Sequence, residues 1–188
     1  MGKILKTLDD EAKQFIKEQS MFFVASAPVD PEGHINLSPK GLDTFRVLGP
    51  ETVAYLDFTG SGVETIAHLK ENRRIVLMFC AFQGPPNILR LYGKGRTVEL
   101  NEPEFNTLQA HFPVYESTRA IIVIELTRIA NSCGYGVPLL RHEGERSQIA
   151  AWASKQGPDG LKAYRQEKNS RSIDGLPGIS EPETVVLP

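Results

Sequence analysis

Eight consecutive apolar residues, Ile75 to Phe82 (IVLMFCAF), lie between Arg73-Arg74 and the turn sequence Gln83-Gly84-Pro85-Pro86. The run is too short to cross a bilayer as a helix, which takes about 20 residues. A near-continuous apolar run of this length reads as a buried strand, so the chain must build a sheet and cover it. The material is there. Hydrophobic residues make up 40% of the 188 and charged residues 23%, enough apolar surface to order most of the chain. The length fits one domain with an appendage.

The rest of the pattern supports a sheet. Leu8, Ala12, Phe15 and Ile16 recur at helical spacing and predict a helix over Thr7–Ser20, with Thr7 and Asp10 as a capping box. MFFVASAPV and HINLS, separated by Asp30-Pro31-Glu32-Gly33, predict a β-hairpin. TVAYLDF is a strand, VETIAHLKENRR a helix, and NILRLYGKGRTVEL a long strand with a bulge or bend at Gly93 and Gly95. NEPEFNTLQAHF predicts a short helix capped by Asn101, and RAIIVIELTRIANSC a further half-buried strand. About six strands against two or three helices, joined more by hairpins than by helices, predict an antiparallel barrel rather than a doubly wound sheet. From Gly134 the chain turns polar and helix-permissive, is split at Gly157-Pro158, and ends in a Gly/Pro-rich strap.

Charge and cysteine content exclude several classes. Lys plus Arg number 21 and Asp plus Glu 23, for a net charge of −2, which gives no global attraction to nucleic acid or an anionic membrane. No signal-like apolar stretch develops before the chain turns acidic at Asp9. Cys80 and Cys133, the two cysteines, fit a reducing cytoplasm and are both expected to pack as buried thiols.

Two stretches suit ligand chemistry. Asn36-Leu37-Ser38-Pro39-Lys40-Gly41 places a hydroxyl, an amine and an unencumbered backbone at a strand's end. Thr59-Gly60-Ser61-Gly62 leads into a helix whose N-terminal N–H groups attract anions. It is neither a phosphate-binding P-loop nor a dinucleotide fingerprint. No Gly-x-Ser-x-Gly elbow supports hydrolysis. Glu64 and His68 stand four apart without further ligands and read as a solvated pair rather than a metal site. Cys133-Gly134-Tyr135-Gly136-Val137-Pro138 reads as a strand terminator, Lys168–Ser172 as a solvated surface stretch, and Trp152 as an amphipathic, partly buried ring.

Taken together, INLSPKG, DFTGSG and HLKENRRIVLMF resemble the FMN-binding split-barrel family of pyridoxamine 5'-phosphate oxidase. The resemblance runs from about Phe22 to Cys133. It extends to a branch whose members also carry CGYGVP- and SIDGLPG-like segments. It implies a mainly β, α+β fold: a six-stranded antiparallel split β-barrel of Greek-key type with peripheral helices. The implied layout is an N-terminal helix over 1–20, the barrel over 21–133 and a helical, strapping extension over 134–188.

The resemblance further implies FMN bound at a homodimer interface. Asn36, Leu37, Ser38, Pro39 and Lys40 match the strand that lines the flavin ring and phosphate. Phe58 and Thr59 match the aromatic-Thr pair near the ribityl phosphate, and Ser61 and Gly62 the polar turn. Two positions depart from the family pattern. An Arg-Lys pair expected after the turn is Gly62-Val63-Glu64 here, and a C-terminal Arg-Leu-x-Pro is VVLP. The phosphate's cation would then be Lys40, Arg73, Arg74 or Arg90. The expected function is an FMN-dependent, cytoplasmic oxidoreductase acting on a small molecule, rather than pyridoxamine 5'-phosphate oxidation itself. The alternative is a non-catalytic module holding a flavin, deazaflavin or haem for sensing, storage or stress response.

Overall fold

The computed structural model describes residues 2–179. The strands are β1 (Ile4–Leu5), β2 (Phe22–Ser26), β3 (Asn36–Lys40), β4 (Phe45–Val47), β5 (Thr52–Phe58), β6 (Arg74–Cys80), β7 (Ile88–Glu99) and β8 (Thr118–Ser132). The helices are α1 (Asp10–Glu18), α2 (Glu64–Asn72), α3 (Phe105–Gln109) and α4 (Gln148–Lys168). Among the described residues, seven strands form one antiparallel path in the order β3-β2-β6-β7-β8-β5-β4, and β1 adds a two-residue edge to β8. The expected split barrel is present with seven strands in its path, not six. The added strand, β4, is three residues long, too short to show a period of two in sequence.

The barrel curls around one apolar core. Val24, Tyr55, Leu77, Leu91 and Ile122 are buried inside it. The path is not closed by hydrogen bonds between β3 and β4, its two ends. Phe22 of β2, Phe45 of β4 and Phe79 of β6 meet instead, with ring centroids 5.1–5.3 Å apart. Such offset and edge contacts are worth about 0.5–1.5 kcal/mol each beyond area burial. Leu8, Ala12 and Ile16 bring α1 into the same core. Its cap is Asp9, whose Oδ1 accepts from the Ala12 N–H at 2.8 Å, rather than the expected Thr7.

A second cluster lies on the other face of β5 and β8. Ala54, Leu56, Ile121 and Val123 pack there against Phe105, Leu108 and Phe112. These two strands are thus covered on both faces, as a near-continuous apolar run requires. β6 is different. Its Ile75, Leu77 and Phe79 are buried, while Val76 and Met78 are half-exposed on the outer face. Register aligns Pro39, Phe23, Met78 and Arg90 in one row across β3, β2, β6 and β7. The next row is Leu37, Ala25, Val76 and Tyr92. Leu37 is 64% exposed, so this chain leaves an apolar sheet face uncovered.

The long pair β7–β8 bulges between Tyr92 and Gly93, one of the two glycines expected to mark a bend. At Gly95 a Cβ would come within 2.8 Å of Leu69, so the glycine lets α2 pack flat on β7. α3 starts later than expected, after Glu104 rather than after Asn101. α4 is broken at Gly157, whose φ of 65° and ψ of 175° are non-helical. After α4 the segment 169–179 crosses back over the turn at residues 59–62. The VVLP ending, Val185 to Pro188, lies outside the described residues.

Candidate functional site

β3 has two faces of opposite chemistry. Leu37 faces the open outer side and Pro39, on the same side of the strand, also reaches the cavity rim, while Asn36, Ser38 and Lys40 form a polar ladder on the other face. Asn36 Nδ2 donates to Thr65 Oγ1 at 2.9 Å and Ser38 Oγ donates to Asn36 Oδ1 at 3.1 Å. Lys40 Nζ, at the end of the strand, donates to Asp57 Oδ1 at 2.7 Å. Asp57 Oδ2 accepts from Arg119 Nε at the same distance, 2.7 Å. Asp57 is fully buried and Arg119 nearly so.

Burial alone would push the Asp57 carboxyl upward. The Arg119 guanidinium, and then the Lys40 ammonium, more than offset that and hold it at about 2. Asp57 is therefore ionised throughout the neutral range. A buried charge needs such partners, because removing one leaves an uncompensated ion.

A cavity of about 780 Å³ opens beside this cluster. One wall is Pro39–Leu42 with Met21; another is Leu56, Phe58 and Thr59 from the end of β5. The roof comes from the extension, where His142, Glu145, Arg146 and Trp152 line it. The volume lies within the range of about 300–1,000 Å³ typical of small-molecule sites. Thr59 sits at the rim, nearly fully buried, with its N–H bonded to the Ser117 carbonyl at 2.7 Å. Among the described residues its Oγ1 has no partner. An orphaned buried hydroxyl beside a cavity is a polar handle for a ligand.

The turn that follows is less open than its sequence suggests. The Glu64 carboxylate folds back on the N-terminus of α2, lying where a Cβ on Gly62 would be. Glu64 Oε1 also accepts the Ile173 N–H at 3.3 Å. Asn169 Nδ2 donates to the Gly60 carbonyl at 2.7 Å, and His34 Nδ1 lies 2.6 Å from Asp174 Oδ1. The anion-attracting end of α2 is thus occupied by the protein's own carboxylate and covered by its own strap.

The structure brings Pro39, Lys40, Phe58 and Thr59 together at the cavity. Asn36 and Ser38 stand in the ladder behind, and Leu37 faces outward. Ser61 and Gly62 lie in the turn. Arg73 and Arg74 stand at the far end of α2, where Arg73 Nε reaches the Gly95 carbonyl at 3.4 Å and Arg74 the Pro28 carbonyl at 3.0 Å. Arg90 donates to Ser132 Oγ at 3.0 Å, in the outer-face row. These three arginines do not line the cavity of their own chain.

Sequence reasoning missed Asp57, Arg119, Arg146 and Asn169. Two of them had a signal: Asp57 interrupts the apolar TVAYLDF, and Arg119 opens the apolar RAIIVIEL. A carboxylate and a guanidinium each embedded in a buried strand must find each other. Other expectations need correction. His68 is not solvated; it is fully buried with Nδ1 2.9 Å from Ser26 Oγ, and burial holds its imidazole below the ordinary value. Cys80 is buried but Cys133 is exposed. Within 168–172, Asn169 and Ser172 are buried rather than solvated.

Residues 8–133 match the family model described as pyridoxamine 5'-phosphate oxidase. The chain is 38% identical to the pyridoxamine 5'-phosphate oxidase family protein UstO of Aspergillus flavus over 193 residues, covering 93% of this chain and 76% of that protein. Among solved structures, a variant of HupZ from group A Streptococcus matches with a TM-score of 0.52 at 20% identity, covering 66% of this chain and 99% of its own. A pyridoxamine 5'-phosphate oxidase-like protein of Lactobacillus delbrueckii matches with a TM-score of 0.52 at 17% identity, covering 68% and 98%. At such identities the two structures speak to the fold.

Proposed function

The chain belongs to the pyridoxamine 5'-phosphate oxidase family, and on that premise we propose that it is a flavin-dependent oxidoreductase, with FMN the flavin, acting on a small molecule in the cavity beside Lys40. The observation that carries the reading is Thr59 Oγ1, buried and unpartnered among the described residues at the rim of a cavity of about 780 Å³, with Lys40 on the adjoining wall. Lys40, Phe58 and Thr59 would hold the flavin. Their donors and apolar surface fit its ring system. The N-terminus of α2 does not fit its phosphate, because Glu64 and the strap already fill that place.

A bound flavin supplies hydride transfer; the protein supplies position and electrostatics. Lys40 presents an ammonium, fixed by Asp57, to negative charge that develops in the cavity. The Thr59 hydroxyl offers one donor and two acceptor lone pairs. Trp152, braced edge-on by Tyr164 with centroids 5.1 Å apart, helps roof the site against water. The open outer face of β2, β3, β6 and β7 supports a homodimer, in which a second copy covers the rows around Met78 and Val76.

A visible absorption spectrum of the purified protein, followed by fluorescence titration with FMN, tests the reading. Flavin bands and saturable binding at one site per chain are expected. A Soret band, or no binding at about 100 μM FMN, roughly 5.5 kcal/mol, overturns it.

A further inference from the structure

The three ions beside the cavity, two of them buried, do not balance. One carboxylate, Asp57, serves two cations, one on each oxygen, both at 2.7 Å. The cluster therefore carries one positive charge in excess. Only Lys40 brings that charge to the cavity: its side chain is 20% exposed, against 1% for Asp57 and 5% for Arg119. Neither Asp57 nor Arg119 lines the cavity. The roof does not cancel the excess, since Glu145 and Arg146 contribute one charge of each sign and His142 lies 3.3 Å from Glu145.

Were Lys40 and Asp57 alone, they would form a neutral pair and offer an anion little. Arg119, bonded to the second oxygen of Asp57, adds its own positive charge, which offsets the field of the carboxylate and leaves the cluster net cationic where Lys40 meets the cavity. A cavity wall with an unbalanced charge and largely apolar surroundings favours a ligand that supplies the missing sign.

We infer that Asp57 and Arg119 are positioning residues that set the net charge the cluster presents through Lys40, and that the cavity's ligand carries an acid group at Lys40. The inference rests on the reading of this cavity as the ligand site. The acid is an anionic oxygen group, drawn either from a flavin phosphate or from a carboxylate on the substrate.

The test uses Lys40→Met, Arg119→Met, Asp57→Asn and the double variant Asp57→Asn/Arg119→Met. Each is titrated with FMN and with riboflavin, which lacks the phosphate, and each flavin-loaded protein is titrated with benzoate as a carboxylate probe. Arg119→Met should weaken the acid-dependent affinity at least about tenfold, as loss of one unit charge roughly 10 Å away does at an effective dielectric of about 20. Asp57→Asn should strengthen it by a similar factor, and the double variant should return close to wild type. The opposite signs separate a charge-setting role from a structural one, because mere damage weakens binding in every variant. A change confined to the FMN-to-riboflavin ratio assigns the acid to the phosphate. A change confined to benzoate assigns it to the substrate.

If Asp57→Asn does not fold, Arg119→Met decides alone: loss of riboflavin affinity equal to that of FMN, with benzoate unchanged, overturns the inference. Weakening by both Asp57→Asn and Arg119→Met, with Lys40→Met also weakened, overturns it too while leaving the site in place. If Lys40→Met alters no titration, the cavity reading itself fails, and the inference with it.

Discussion

Asn169 Nδ2 donates to the carbonyl of Gly60 at 2.7 Å, across 109 residues of sequence. The contact ties the end of α4 to the turn between β5 and α2, at the rim of the cavity. Asn169 is fully buried, and its own carbonyl accepts the Ile179 N–H at 2.8 Å. The strap is therefore folded around Asn169. Asn169→Ala should cost about 1–3 kcal/mol, the range for removing a buried hydrogen-bonding partner. Urea unfolding would read this as a lower midpoint at unchanged slope. Backbone amides at 59–62 should also exchange faster with solvent. Stability within about 0.5 kcal/mol of wild type, with unchanged exchange, would show that the strap does not hold the turn.

The sheet was legible because its strands are long or apolar. TVAYLDF, RIVLMFC and the β7–β8 pair carry their period or their burial in the residues themselves. β4 was not, because Phe45-Arg46-Val47 spans a single repeat and owes its pairing to Tyr55 and Val53 across the turn. The cavity was half legible. Lys40, Phe58 and Thr59 stand in recognisable local settings. The partners that define them, Arg119 and Asn169, come from 62 and 109 residues beyond Asp57 and Gly60, and local pattern carries no information about such contacts. Within 168–172 the solvated reading holds for Lys168, Ser170 and Arg171 and fails at Asn169 for the same reason: its side chain is buried by bonding to a distant backbone carbonyl, while Ser172 is buried in a local turn with Leu176.

The two cysteines should separate chemically. Cys133 is exposed, while Cys80 is buried and its thiol is pushed up by that burial, with Arg90 opposing. Thiolate is the reactive form. An Ellman titration of the native protein should therefore find one fast thiol per chain, and a second only after denaturation. Cys133→Ser should abolish the fast phase. Two equally fast thiols in the native state would contradict the placement of Cys80.

Acid should act on the fold through Asp57. Its folded-state value of about 2 lies below that of an unfolded aspartate, near 3.9. A depressed carboxyl stabilises the fold above the unfolded value, and the contribution is lost as pH falls through the folded one. The window is thus about pH 4 to 2, and the contribution about 2–3 kcal/mol. Asp57→Asn should flatten the pH dependence of unfolding free energy in that window, whatever its effect on stability at pH 7. Equal slopes in both proteins would mean that Asp57 is not held low.

The outer sheet face should assemble with a second copy of this chain. Phe23, Met78 and Val76 are apolar residues of central strands left half-exposed, and Leu37 extends the patch to the edge. Apolar surface of this kind, on a sheet flanked by the open edge of β3, is stabilised by self-complementary burial. Light scattering should give twice the 20.8 kDa of one chain. Met78→Asp places a carboxylate in the middle of the row between Phe23 and Arg90, and should shift the mass towards that of one chain. Far-ultraviolet dichroism should stay unchanged, because Met78 points away from the core. Flavin affinity separates two arrangements: it falls with the dimer if the partner completes the cofactor site, and holds if the cavity beside Lys40 is sufficient. A wild-type mass of 20.8 kDa at micromolar concentration, with flavin present, would rule out the assembly.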